Sequence, residues 1–174
     1  RAGIRDISRL ELVTPGFSYG FIGSDSKIAI RGANSNNTYG DNSSIAGFFV
    51  DGVYRPRAAQ QSQGYFDVER IEVLKGPQGT LYGRNTFAGA VNLYPNRPST
   101  EALEGGIKTS FESFGRTITD AFINVPVGDD FAVRVALNTR DSDGYIDNNG
   151  AGSDLGQEDG FNYRVSALWT PTED

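Results

Sequence analysis

The sequence has no cysteine, no histidine and no methionine among its 174 residues. Each absence closes off chemistry. Without Cys there is no disulfide. Without His and Cys there is no Ser-His-Asp or Cys-His nucleophile, no zinc site of the usual ligands and no imidazole proton shuttle. Only carboxylate, Lys or Tyr chemistry stays open to an enzyme, and no carboxylate pair is singled out by its setting. The expectation is a protein that is not an enzyme and holds no metal or cofactor. Basic residues are also outnumbered: 16 Lys and Arg stand against 22 Asp and Glu, a net charge of −6. A nucleic-acid partner is therefore not expected. No run of roughly 18 apolar residues exists, so no transmembrane helix is expected. Transmembrane strands are short and alternating, and remain open. The chain opens at Arg1 without Met or a signal peptide, which reads as a processed or truncated start.

What is present favours strands and turns. There are 22 Gly, 11 Phe and 8 Tyr. The opening AGIRDISRLELVTPG reads as a short amphipathic helix: Ile4, Ile7 and Leu10 recur at a spacing of three, and Pro15-Gly16 stops it. KIAIRG (27–32) alternates as a half-buried strand, and the polar run 33–44 reads as a loop. GFFVDGVYRP (47–56) sets Asp51-Gly52 between two strand-forming runs, a hairpin signal. Residues 57–64 form a polar loop or short helix. ERIEVLKG (69–76) alternates again, with Ile71 and Val73 on one face, until Pro77. GTLYGRN reads as a tight helical turn and AGAVNLYP (88–95) as another strand. Pro95 and Pro98 mark a linker, with a domain boundary near Thr100.

Beyond the boundary, LEGGIKTSFESFG, RTITDAFINV, FAVRVALNTR and FNYRVSALW are segments of about ten residues, the length of a membrane-spanning strand. Phe131, Val133, Val135 and Leu137 share one face, and Ala132, Arg134, Ala136 and Asn138 the other. Phe161 to Trp169 repeats the pattern, with Arg164 on the polar side. A mid-strand charge in a membrane requires a wet lumen. Residues 126–130 read as a short turn and 141–160 as a long connection, the asymmetry of periplasmic turns and extracellular loops. Phe131 and Trp169 then lie at one level, as in an aromatic girdle. Alternation by itself suits a soluble antiparallel sheet or sandwich equally well.

Four motifs follow one another in the first hundred residues: IAIRG (28–32), FFVDGVY (48–54), FDVERIEVLKGPQGTLYGRN (66–85) and AGAVNLYPNRP (88–98). In this order they resemble the plug of TonB-dependent outer-membrane transporters. Two departures are mild: Ala88-Gly89 stands where the family usually has two glycines, and Val91-Asn92-Leu93 where it often has Ile-Asn-Ile. The resemblance implies an α+β plug domain over 1–99, a small mixed sheet with short helices and without the family's N-terminal coupling box. It implies that 100–174 are the first antiparallel strands, about four, of an incomplete transmembrane β-barrel that in the family has about 22. The chain is accordingly expected to be a fragment.

The resemblance also implies function: energy-coupled import of a scarce nutrient across a Gram-negative outer membrane, most often a ferric siderophore, with the TonB complex as partner and the plug gating the barrel. Structural roles fall to Arg31, Gly32, Asp51, Gly52, Glu69, Arg70, Glu72, Gly76, Pro77, Gly79, Leu81, Tyr82, Gly83, Gly89 and Asn92. The glycines and Pro77 would turn the backbone sharply. Leu81 and Tyr82 would anchor the helical turn in the core. Arg31, Glu69, Arg70, Glu72 and Lys75 would be partly buried and pair with one another and with barrel carboxylates. Ligand contacts are expected in the loops 33–44 and 55–64, at Tyr39, Tyr54, Arg55 and Arg57. The alternative is a soluble β-rich module that binds a ligand or carbohydrate.

Other patterns carry less. KGPQGTLYGRN lacks the Walker spacing and its Lys-Ser/Thr end. NGAGSDLGQ is one copy of a calcium nonapeptide whose architecture needs tandem copies. Asp141, Asp143 and Asp147 lack EF-hand spacing.

Overall fold

The computed structural model describes residues 7–22, 25–34, 45–61, 65–144, 146 and 155–171. The chain divides into two compact units, Arg1–Pro95 and Asn96–Asp174. Most of the polar run 33–44, Tyr39 included, lies outside the described residues, as does Ile4.

The first unit starts with a 3-10 turn, Ile7–Arg9, that runs into helix α1, Leu10–Val13. Ile7 and Leu10, one turn apart, are both buried, and Leu12 and Val13 are exposed. Strand β1, Phe17–Ile22, was not anticipated from the sequence. It pairs antiparallel with β2, Asp25–Ile30, in register Phe17↔Ile30. The signal was present in FSYGFI, where Phe17, Tyr19 and Phe21 alternate with Ser18 and Gly20, but a glycine in the interior weakens the strand preference. Ile28 and Ile30 are buried as the alternation of KIAIRG required.

The main sheet of this unit has strand order β4-β3-β6-β5. Strand β3 is Ala46–Val50, β4 Val53–Tyr54, β5 Val68–Lys75 and β6 Gly89–Pro95. Asp51 and Gly52, with φ of 48° and 78°, make the tight β3–β4 turn that left-handed geometry requires. Strand β6 is flanked on both sides, parallel to β3 and antiparallel to β5. Its residues Gly89 to Leu93 are consequently all buried. One-turn helices α2, Ala58–Gln61, and α3, Gly79–Tyr82, sit in the connections between strands. Ile7, Leu10, Phe17, Ile28, Phe48 and Val91 belong to one contiguous apolar core.

The second unit is an antiparallel meander in the order β10-β9-β8-β7. Its strands are β7 Glu104–Phe111, β8 Thr117–Val127, β9 Phe131–Ser142 and β10 Glu158–Trp169. All four expected segments are strands, but two boundaries differ. The β8–β9 turn spans only 128–130, because β8 continues through Pro126 to Val127. The pairing of β7 with β8 ends at Asn124, so the missing Pro126 N–H faces no neighbouring strand on that side. The long connection is likewise shorter than 141–160. Asp141 pairs with Asp159 and Ser142 with Glu158. The Arg140 guanidinium 3.6 Å and the Arg116 guanidinium 2.8 Å from the Glu158 carboxylate offset the acidic run there.

Candidate functional site

Two features carry functional information, one in each unit. In the first unit it is the excursion between β5 and β6, residues 76–88. Its ends are held together by Gly76 N–H donating to Ala88 O and Gln78 N–H to Thr86 O, both 2.9 Å. Inside it, α3 closes one turn through Tyr82 N–H to Gln78 O at 2.9 Å. Gly76 and Gly83 have φ of 100° and 74°, so the backbone reverses where the glycines were expected to permit it. Gly79 opens the helical turn with ordinary geometry, and Pro77 is exposed. Gly89 is confined from both sides: a Cβ would run into the Leu74 carbonyl oxygen and lie 2.8 Å from Ile30 Cδ1. Only one of the family's two glycines is required by this packing, and the buried Ala88 fills the other place.

Side chains fix the excursion to the sheet. Asn92 Nδ2 donates to the Tyr82 hydroxyl at 2.7 Å, and Asn85 Nδ2 to the Tyr54 hydroxyl at 3.0 Å. The Phe49 ring lies 5.0 Å from Tyr82 and 5.4 Å from Tyr54. Tyr82 thus anchors the turn as expected, but Leu81 does not. It is 78% exposed, because a single helical turn presents neighbouring residues to different sides and Tyr82 takes the inner one. Tyr54, expected to face a ligand, is half-buried and spends its ring and hydroxyl on this cluster. Arg55 is half-buried and Arg57 exposed.

Arg70 forms the charged feature of β5. Its Nη1 and Nε donate to Glu69 and Glu72, each at 2.8 Å, and its guanidinium stacks 3.8 Å from the Tyr94 ring centre. The Glu72 hydrogen bond is the main cause that holds the guanidinium pKa above its ordinary value. Burial pushes the Tyr94 phenol up, and the Glu72 carboxylate adds to it. The pairing of Arg70 with both glutamates matches the expected mutual pairing. Two of the group behave otherwise. Lys75 Nζ donates to the Pro15 carbonyl at 2.5 Å, a backbone partner. Arg31 is exposed, and with Gly32 it forms a tight turn with φ of 54° and 77°, closed by reciprocal Ile30–Ala33 hydrogen bonds. Among the described residues no cluster of three or more Asp, Glu, His or Cys could hold a metal ion.

In the second unit the feature is the sheet's two faces. Cross-strand register puts Lys108, Asp120, Asn138 and Asn162 in one row, and Asn124, Arg134 and Ser166 in another on the same face. Asn138 Nδ2 donates to Asp120 at 2.8 Å, and Arg134 lies 4.1 Å over the Phe122 ring. The opposite face carries Ile107, Ile123, Val135, Tyr163, Val165 and Trp169. It is the polar face that is buried, with Ala132 at 0% and Asn138 at 1%. The apolar face is exposed, with Tyr163 at 70%, Val165 at 63% and Trp169 at 69%. A sheet that folds in water does the reverse, because apolar burial drives its folding. Phe131 and Trp169 are direct cross-strand partners at one end of the apolar face, the level expected of them. No helix among the described residues is long and apolar enough to cross a membrane, which says nothing of strands.

The family model for the TonB-dependent receptor plug domain matches residues 1–90. The chain belongs to this plug family. The chain is 32% identical over 114 residues to the pesticin receptor of Yersinia pestis, a match that covers 62% of this chain and 16% of that protein. It is 31% identical over 111 residues to the catecholate siderophore receptor Fiu of Escherichia coli K12, covering 60% of this chain and 14% of the receptor. The chain thus matches only about a sixth or less of the length of these two receptors. Among solved structures, the ferric yersiniabactin uptake receptor FyuA of Yersinia pestis superposes with a TM-score of 0.85 at 28% identity, over 95% of this chain and 26% of that one. The open form of Fiu gives 0.71 at 24% identity, which supports the fold alone. The plug and the antiparallel strands that follow it thus have the architecture of the start of a TonB-dependent receptor, with the barrel not closed here.

Proposed function

We propose that this chain is the plug and first wall strands of an outer-membrane receptor that imports a ferric chelate, with the plug gating the pore. The observation that carries the reading is the inverted second unit. Its charged face, with Arg134 and Arg164 in mid-strand, suits a wet lumen, and its bare apolar face suits lipid. The plug-family match, the likeness to the ferric yersiniabactin receptor structure and the 31% identity to the catecholate siderophore receptor support the nutrient class. On this reading the chain faces a Gram-negative outer membrane, the 128–130 turn lies on the periplasmic side and the 143–157 connection outside. The TonB complex supplies the energy. Arg57 and the loops 33–44 and 55–64 offer ligand contacts. Tyr54 serves the plug's own packing instead. The polar surface of β5 around Arg70 seats the plug.

The complete reading frame, expressed in a Gram-negative strain stripped of its own siderophore receptors, tests this. The expected result is an outer-membrane protein that takes up radioiron from ferric yersiniabactin or a ferric catecholate only when TonB is present. Recovery in the soluble fraction would favour the soluble binding module and overturn the reading. Outer-membrane recovery without iron uptake would refute the ferric-chelate assignment while leaving the receptor architecture standing.

A further inference from the structure

The second unit carries a pocket at the end of the sheet where β7 turns into β8 and β9 leaves for the long connection. Glu112, Ser113, Phe114 and Arg116 line it from the β7–β8 turn, Ser142 from the end of β9 and Glu158 from the start of β10. Ser142 and Glu158 are partners in register and share the polar face with Asn138 and Asn162, four residues along each strand. The cavity measures about 310 Å³. That is the lower end of the range for small-molecule sites, about 300–1,000 Å³, so it takes one ring rather than a whole iron chelate.

The charges of the pocket cancel. Arg116 lies 2.8 Å from the Glu158 carboxylate and 3.7 Å from that of Glu112, and Arg140 lies 3.6 Å from Glu158. Two guanidinium groups thus stand against two carboxylates. An anionic or cationic ligand would have to displace a partner already in place and leave it uncompensated. A neutral ligand meets no such opposition. Each carboxylate has about four lone-pair sites, so paired glutamates still accept from ligand hydroxyls. Ser142 Oγ donates to the Phe114 carbonyl at 3.4 Å and keeps its lone pairs as acceptors. Phe114 itself has a φ of 63°, a left-handed conformation that bulky residues rarely adopt. It is 64% exposed. The ion pairs are made by other residues, and glycine would suit the backbone better. Such an outlier, holding an aromatic ring in water at the lip of a pocket, argues for a contact made by the ring itself.

We propose that this pocket binds one neutral sugar ring of a glycan. The C–H groups on the apolar face of the sugar lie on the electron-rich face of the Phe114 ring. Its hydroxyls donate to Glu112 and Glu158 and accept from Arg116 and Ser142. The size of the cavity selects a single ring, and the balanced charges select a neutral one. The pocket belongs to the second unit alone. From the receptor reading the proposal takes only that this end of the sheet faces out of the cell.

Saturation-transfer NMR on the complete protein, purified in the sugar-free detergent lauryldimethylamine oxide, tests this. The probes are glucose, galactose, mannose and N-acetylglucosamine, with glucuronate and glucosamine as charged counterparts. At least one neutral sugar is expected to bind with a Kd on the order of 1 mM. The charged sugars should bind about tenfold more weakly or worse, since each must break an ion pair. Phe114→Gly removes the ring and relieves the backbone, so its urea midpoint should be unchanged or higher while sugar binding falls about tenfold or more. No binding of any neutral sugar, equal binding by Phe114→Gly, or charged sugars held as tightly would each overturn the proposal. If Phe114→Gly fails to assemble, the ring is a packing element and the proposal fails with it. Lipopolysaccharide vesicles that displace the bound sugar would identify a glycolipid headgroup as its source. Displacement by a soluble oligosaccharide and not by the vesicles would identify a free glycan, and either result supports the pocket. Sugar binding without iron uptake leaves the pocket standing while the receptor reading falls, and uptake without sugar binding does the reverse.

Discussion

Placing one charge on the apolar face of the second unit separates a membrane wall from a soluble sheet. Val165 is paired with Val135, and Val135 with Ile123, so the three form a rung across β10, β9 and β8. The rung is four residues along from the Phe131–Trp169 pair. At ~3.4 Å per residue and a tilt of ~40°, it stands about 10 Å above that pair. An apolar band ~25 Å tall that begins at the aromatic level has its midplane within a few ångströms of this rung. Val165→Arg should therefore destabilise the inserted barrel by about 2–4 kcal/mol, the cost of a guanidinium at the midplane. Trp169→Arg, at the interface, should cost about 1 kcal/mol or less by the same rule. Arg164 is the internal comparison: one residue away on the polar face, it carries the same charge without that cost. The assay is reversible urea unfolding of the full-length receptor in phospholipid vesicles, followed by heat-modifiable gel mobility. In a soluble sheet an exposed Val-to-Arg change is worth within about 0.5 kcal/mol. Equal stability of Val165→Arg and wild type, or equal losses at Val165 and Trp169, would refute the assignment of this face to lipid.

Three further outcomes follow from the plug. Gly89→Ala combines positive-φ backbone strain of about 1–3 kcal/mol with overpacking of a similar size against the Leu74 carbonyl. The plug should unfold at markedly lower urea, and a wild-type midpoint would show that β5 and β6 can separate freely. Tyr82→Phe strands the buried Asn92 amide, whose Oδ1 makes no hydrogen bond among the described residues, and should cost about 1–3 kcal/mol by the same measurement. An unchanged midpoint would show that the hydroxyl does not hold the excursion. The Tyr94 phenol should titrate above the ordinary tyrosine value, since burial disfavours its phenolate. A phenol with a raised folded-state pKa contributes stability that is present below its unfolded pKa and is lost as pH rises through the folded one. The difference ultraviolet titration of wild type and Tyr94→Phe reads it, and a phenol that ionises at or below the ordinary value would contradict the packing of Tyr94 beside Glu72.

Local chemistry made much of this molecule legible in its sequence. Turn residues announce themselves because left-handed φ admits so few side chains, and Asp51-Gly52 stands where it was expected. Strands announce themselves by a period of two, which placed Ile28, Ile30 and the alternating residues of β9 and β10 on their correct sides. The order of the four plug motifs pointed to the family, which the match over residues 1–90 bears out. The failures have equally local causes. Gly20 weakened the strand preference of β1. The acidic run around Asp141 and Glu158 looked like a loop because the Glu158 carboxylate meets its arginines, Arg116 and Arg140, only once the strands are paired.

Periodicity assigns residues to faces but does not say which environment each face meets. The alternation of Phe131 to Asn138 is the same whether its apolar side is buried in a sandwich or bathed in lipid. Only the tertiary structure decided that Asn138 is enclosed and Val165 laid bare, because burial depends on what else in the chain covers a face. The same holds for the one-turn helix at Gly79–Tyr82. Its existence follows from its residues, but that Tyr82 rather than Leu81 is its anchor follows from Phe49 and Asn92, which only the folded sheet brings beside it.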